Sequence, residues 1–180
     1  IATDNIAANA SNDAVRITAV SLAETLKAEH GDTTYAVFAA MRLAKVAVAQ
    51  NDLDMASEEL RWALDNVSEK HLETTIRIRL SRVHLGLEDP ASAMALLVDH
   101  QPASGQVASV EEAKGDIFHS QGDLGQARQA YQKALVNLSD KIEKPILELK
   151  LSDLPLSANA TEERMLEPAI IEEVEEGDDA

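Results

Sequence analysis

The sequence predicts an all-α fold, a short solenoid of about three helix pairs with a capping helix at one end. Three observations carry that expectation. The apolar 45% comes mainly from Ala, Leu and Val, while aromatic residues are only 3%; a sheet would draw on more β-branched and aromatic side chains. Seven glycines and five prolines leave long uninterrupted stretches. A turn-like triplet also recurs, as Asn51-Asp52-Leu53, Glu88-Asp89-Pro90 and Gly122-Asp123-Leu124, at spacings of 37 and 34 residues.

The elements follow in order. Residues 1–12 have no clear period and read as a linker. Asp13 is placed to cap a helix over Ala14 to Glu29, with Val15, Ala19, Leu22, Ala23 and Leu26 on one face. His30-Gly31-Asp32 ends it, with Gly31 at a C-cap position. A helix opens at Thr33 or Thr34 and runs to about Gln50, and the next covers Leu53 to Asn66. Another starts at Ser68 or Glu69 and reaches about Leu87; Pro90 then opens a helix ending near His100, because a first helical residue needs no N–H. Gln101 to Gln106, with Pro102 and Gly105, is a loop. Helices at about Val107 to Gln121 and Leu124 to Leu138 complete seven.

Overlaying the pairs on their turns exposes a steric rule. Four residues after each Asp stands Ala56, Ala93 or Ala127. Four further on comes Leu60, Leu97 or Tyr131, and three beyond that Ala63, His100 or Ala134. Before the turns stand Ala44, Ser81 and Gly115. Antiparallel helices approach closely only where contact positions carry little volume, and a large partner residue fills what remains. The third pair fits best, through Gly115, Phe118, Gly122, Ala127, Tyr131 and Ala134; the middle pair fits least, with His84 and His100 at positions usually apolar or small. A repeat near 34 residues with this small–large–small order resembles the tetratricopeptide repeat, whose pairs bury their faces only by stacking.

A narrower resemblance lies in "YAVFAAMRLAKVAVAQNDLDMASEELRWAL", "IRLSRVHLGLEDPASAMALL" and "AKGDIFHSQGDLGQARQAYQKAL". Together they resemble the periplasmic domain of the YfgM family, ancillary subunits of the bacterial Sec translocon, over roughly Ala23 to Leu151. The resemblance implies a single N-terminal membrane helix ahead of this chain, a consequence in keeping with a start at Ile1, and a domain on the periplasmic side of the inner membrane. It implies translocon subunits and a membrane-anchored periplasmic chaperone as partners, and help to newly translocated client polypeptides. The expected organisation is a linker at 1–12, a tetratricopeptide-repeat-like domain at 13–151 and an acidic tail at 152–180; the tail does not belong to the family pattern.

Composition excludes several function classes. The net charge of −16 disfavours binding to nucleic acid or to an anionic membrane surface. The absence of Cys removes disulfides, thiolate metal sites and a Cys nucleophile. No run of 18 apolar residues is available to span a membrane. The five histidines, His30, His71, His84, His100 and His119, share no i, i+4 spacing and no HExxH frame, so no metal site is expected. No Gly-x-Ser-x-Gly elbow is present, and "GDIFHSQGDLG" lies within a helix pair, where no strand precedes it to form a phosphate loop. The expectation is a protein without enzymatic activity and without a cofactor.

The first helix of each pair lines the concave side of such arrays. The usual positions give Phe38, Met41, Arg42, Lys45 and Val48 in the first pair, Thr75, Ile78, Arg79, Arg82 and Leu85 in the second, and Ser109, Glu112, Asp116 and His119 in the third. The candidate groove is Phe38, Met41, Arg42, Lys45, Ile78, Arg79, Arg82 and Leu85, its cations facing carboxylates or carbonyls of a bound segment and its apolar members taking side chains. The alternative is that these arginines are ordinary solvated residues whose stems cover apolar surface. The tail carries nine acids and one Arg over 162–179, with Met165, Leu166, Ile170 and Ile171 among them. It is either a solubilising tail or a ligand for a basic groove in its own molecule or a neighbour's, which would couple it to self-association. At the level of function, the alternative to a translocon-bound chaperone partner is a soluble scaffold that joins fixed partners and binds no clients.

Overall fold

The computed structural model describes residues 17–138 and 144–154. The expected linker, the cap at Asp13 and the acidic stretch beyond residue 154 lie outside the described residues. Among the described residues the chain is all helical: α1 (17–29), α2 (Thr34–Ala49), α3 (Leu53–Asn66), α4 (Lys70–Gly86), α5 (Pro90–Ala95), α6 (Val107–Ser120), α7 (Leu124–Asn137) and α8 (Lys144–Ser152).

The three recurring turns are built alike, atom for atom. Asn51, Glu88 and Gly122 each adopt a left-handed backbone, at φ 60°, 58° and 76°. The next residue is an Asp whose N–H reaches back to the preceding helix: Asp52 to the Ala47 carbonyl, Asp89 to His84 and Asp123 to Phe118, at 2.9–3.0 Å. This bond satisfies a carbonyl that a helix end leaves free. The same Asp then turns forward and caps the following helix, its Oδ1 accepting the N–H of Met55, Ser92 or Gln126 at 3.0 Å. One acidic residue thus belongs to both helices of each pair, and such a cap contributes about 1 kcal/mol.

The small positions are buried as their volume demands. Ala44, Ser81 and Gly115 face inward, as do Ala56, Ala93 and Ala127, with Leu60, Leu97 and Tyr131 filling the space beside them. Each apolar cluster is shared between a pair and the next first helix. One joins α2, α3 and α4 through Val37, Met41, Leu60, Ile76 and Leu80. The second joins α4, α5 and α6 through Ile78, Ala93, Leu97 and Ile117. The third joins α7 to α8 through Tyr131, Ala134, Leu147 and Leu154, with Phe118 of α6 packed on it. No pair closes its own core, which is why stacking is obligatory.

Four local expectations are corrected. The helix opening at Pro90 ends at Ala95, well before His100. Polar groups of α4 draw the chain away: Arg77 donates to the Leu96 carbonyl at 3.3 Å, while the fully buried Thr74 hydroxyl pairs with His100 Nε2 at 2.8 Å and accepts the Ala103 N–H at 3.2 Å. Leu22 of α1 is 65% exposed and Ala19 is exposed too, while Ala23 and Leu26 are half-buried, so only part of the expected apolar face is covered. What fastens α1 is Lys27, whose ammonium lies 2.6 Å from Glu59 and 5.1 Å from the Trp62 ring centroid. Gly31 does not take the left-handed backbone of a glycine C-cap; it is small because a Cβ there would meet the Lys27 carbonyl at 2.8 Å. Finally, α8 was not expected, and packing continues to Leu154, which is 4% exposed.

A polar knot closes the third cluster. The Tyr131 hydroxyl donates to Asp116 at 2.8 Å, and Lys150 of α8 donates to Glu112 and Asp116 at 2.6 and 2.7 Å. Burial and the Asp116 hydrogen bond push the Tyr131 phenol well above its usual range. Burial opposes the Lys150 charge, but the bonds and charges of Asp116 and Glu112 outweigh it and leave that pKa raised as well. Both groups keep their protons to higher pH when folded than when unfolded. Their contribution is therefore complete below about pH 10 and is lost as pH rises through the folded values. The denaturation midpoint is expected to hold steady to about pH 9.5 and fall above about pH 10, less steeply in Tyr131→Phe. An identical slope in that variant would show that the phenol contributes nothing.

Candidate functional site

Two first helices, α2 and α4, flank a groove over α3. Its volume is about 400 Å³, and it is lined by Met41, Ala44, Lys45 and Val48 of α2, Leu53 and Leu60 of α3, and Arg79, Arg82 and Val83 of α4. The floor is built by the repeat itself. Ala44 and Leu60 are the small and large packing positions of the first pair, and they leave apolar surface between the two helices. The walls carry the cations, because Lys45, Arg79 and Arg82 stand on the solvent side of their helices.

Of the eight sequence-predicted residues, Met41, Lys45, Arg79 and Arg82 meet in this groove. Phe38 and Arg42 lie just outside it, on the same exposed stripe of α2 as Lys45; Phe38 is 51% exposed and Tyr35, one turn earlier, 75%. Ile78 and Leu85 do not reach it. Ile78 is 6% exposed inside the second apolar cluster, and Leu85 packs on that cluster. The groove position of Ile78 is thus corrected to a core position: the α4 face that points away from α2 is covered by α5 and α6. Ala44, Leu53, Leu60 and Val83 were missed as lining because their spacing marks them as packing residues, and here they are both.

Charge is distributed with a clear asymmetry. Lys27, Arg77, Lys114 and Lys150 each hold a carboxylate at 2.6–2.9 Å. Arg42, Lys45, Arg79 and Arg82 are exposed and hold none among the described residues, and no acidic residue lines the groove. Arg61, Lys70 and Lys133 likewise hold no carboxylate among the described residues, so what sets Lys45, Arg79 and Arg82 apart in a chain of net charge −16 is their position beside apolar surface.

The concave side of the third pair offers no such surface. Glu112 and Asp116 are engaged by Lys150, and Ser109 and Glu112 border a cavity of only about 40 Å³ against Ile146 and Leu147 of α8. Here α8 occupies the place that a further first helix would take. Among the histidines, His84 is 9% exposed with Nε2 3.5 Å from Arg61, and His119 is exposed. Burial first, then the charge of Arg77, depresses the pKa of His100. No group of three or more His, Asp or Glu able to hold a metal ion occurs among the described residues. No helix among them is long and apolar enough to cross a membrane.

Comparison with known proteins agrees with this architecture. The model of the family described as "Tetratricopeptide repeat-like domain" matches residues 4–156. Three similar proteins each bear the name "Ancillary SecYEG translocon subunit". The one from Escherichia coli (strain K12) is 28% identical over 137 residues, 76% of this chain and 66% of that protein. That from Aggregatibacter actinomycetemcomitans is 30% identical over 124 residues, 68% of this chain and 59% of its own length. That from Buchnera aphidicola subsp. Acyrthosiphon pisum is 28% identical over 120 residues, 67% and 62% respectively. The chain thus spans about three fifths to two thirds of the length of these relatives. The name they share is the one to which the YfgM resemblance points.

Proposed function

This chain belongs to the tetratricopeptide repeat-like domain family, and from that premise we propose that it is the protein-interaction module of an ancillary Sec translocon subunit. The name shared by its relatives supports the association with the translocon. The module works on the periplasmic side of the inner membrane, tethered through residues 1–12 to a single-pass anchor, and assists newly translocated chains together with a membrane-anchored chaperone. It performs no chemistry of its own.

The observation that carries this reading is the α2–α4 groove, with Lys45, Arg79 and Arg82, which hold no carboxylate among the described residues, above an apolar floor. Such a surface suits a partner segment presenting apolar side chains flanked by carboxylates. Burial of two or three aliphatic side chains contributes about 1.5–3 kcal/mol each before ordering costs. The exposed ion pairs add about 0.2–1 kcal/mol each and mainly set orientation.

A photoreactive amino acid at Val48 in the anchored protein tests the assignment. Illumination of membranes is expected to yield adducts with a translocon subunit or its chaperone partner, identified by mass spectrometry. The same probe at Val136, 85% exposed on α7, is expected to yield none. Adducts from 136 and not from 48 would move the binding face to the other side of the solenoid. Suppression of aggregation of an unrelated unfolded protein separates client binding from scaffolding alone.

A further inference from the structure

We propose that the α2–α4 groove is a docking site for the chain's own acidic segment, with the Ile170–Val174 stretch lying over the apolar floor and its flanking glutamates facing Lys45, Arg79 and Arg82. The proposal rests on the groove being a protein-binding surface, as argued above, and names its resident occupant.

Three observations meet here. The first is charge: the three groove cations, Lys45, Arg79 and Arg82, pair with no carboxylate among the described residues, in a chain whose acids are concentrated at 162–179, nine against one Arg. Paired in this way, the groove cations gain the partners that Lys27, Arg77, Lys114 and Lys150 find within the repeats.

The second is pattern. Ile170 and Val174 are spaced i, i+4, Ile171 and Val174 i, i+3, and Glu172, Glu173, Glu175 and Glu176 alternate around them. On a helical turn the aliphatic residues share one side and the glutamates flank it. That matches a groove with an apolar floor of Met41, Leu53, Leu60 and Val83 and cationic walls. Pro168 suits the start of such a turn, since its missing N–H costs nothing there.

The third is reach. Leu154 is anchored on α7, and Arg128 holds its carbonyl at 2.6 Å. From there the groove lies about three helix spacings away, roughly 30 Å at 8–10 Å each. The sixteen residues from Leu154 to Ile170 span up to about 50 Å when extended. A tether of this length holds the segment at an effective concentration on the order of millimolar. Weak individual contacts then suffice for occupancy in cis, and an incoming partner segment must displace the resident one.

The chain has no cysteine, so engineered pairs report position cleanly. In the full chain, Val48→Cys with Ile171→Cys is expected to form an intramolecular disulfide at least fivefold faster than Val136→Cys with Ile171→Cys, although α7 lies nearer to the start of the segment. Adding Arg79→Glu and Arg82→Glu should reduce the rate to that of the control pair. Equal rates for the two pairs, a rate indifferent to the charge reversal, or bridges found only between two molecules would each overturn docking in cis. The two readings fail separately. Photoadducts from position 48 without the intramolecular bridge leave the interaction module standing and remove the resident segment. A bridge without photoadducts keeps the docked segment and removes the translocon contact.

Discussion

Gly115→Val is expected to destabilise the domain by at least about 3 kcal/mol, and Gly115→Ala by about 1–2 kcal/mol, read as shifts in the urea midpoint at constant slope. Two effects compete at this position. Glycine within a helix costs about 1 kcal/mol relative to alanine, so propensity alone favours the change to alanine. Sterics opposes it, because a Cβ on Gly115 would clash with Cδ1 and Cε1 of the Tyr131 ring. The ring has nowhere to go: Tyr131 is 3% exposed, packed against Ala127 and Ala134, and held by its hydroxyl to Asp116. Overpacking of this kind costs about 1–3 kcal/mol for one added group and more for a branched one. Against a total stability of about 5–15 kcal/mol, valine removes a large share. A double-mutant cycle isolates the cause. With Tyr131→Ala in the background the clash vanishes, and Gly115→Ala should become neutral or stabilising. If it stays as costly there as in the parent, the ring is not what selects glycine.

If the chain is the proposed translocon-associated module, reversing two cations, Arg79→Glu with Arg82→Glu, should lower the affinity of the membrane-anchored protein for that partner at least tenfold, with helicity and midpoint unchanged. Both side chains are exposed and pair with no carboxylate among the described residues, so their removal breaks no contact within the helical repeats. The change converts about two favourable pairings of 0.2–1 kcal/mol each into repulsions of similar size, and desolvation by the bound apolar segment strengthens both terms. The parent interaction should weaken as salt rises over the range where the Debye length falls below about 10 Å, and the reversed variant should respond weakly or in the opposite sense. Co-purification from detergent-solubilised membranes at two salt concentrations measures both. Affinities within twofold of each other would show that the groove cations are only solvated surface.

The repeat was legible in the sequence because its signals are local. Asp52, Asp89 and Asp123 carry out capping within a few residues of themselves, and Asn51 and Gly122 are residue types that accept a left-handed backbone. Even Glu88, a costly residue for that conformation, was found through the Asp-Pro that follows it. The small positions were legible for the same reason: the contact that demands Ala56 or Ala127 recurs at a fixed distance from each turn. Other features gave no such signal. The short α5 ends where Arg77 and Thr74 of another helix capture its continuation. The nine-residue α8 owes its place to Leu147 and Leu154 meeting Tyr131, and to Lys150 meeting two acids of α6; an isolated helix so short is marginal in water.

The candidate site divides along the same line. Helical spacing placed Met41, Lys45, Arg79 and Arg82 on first helices, and the groove gathers all four. It also placed Ile78 and Leu85 there, yet α5 and α6 cover that side of α4 and take both into the second cluster. By itself, then, the sequence determined the helical repeat, its turns, its close-packed positions and the excess of acid over base, since each follows from a residue's own conformation or from neighbours at fixed spacing. Tertiary structure alone decided which cations find carboxylates among the described residues and which do not, which concave positions remain open, and where α8 packs on the third pair. Those outcomes depend on residues distant in sequence arriving at the same place, and no local period encodes that arrival.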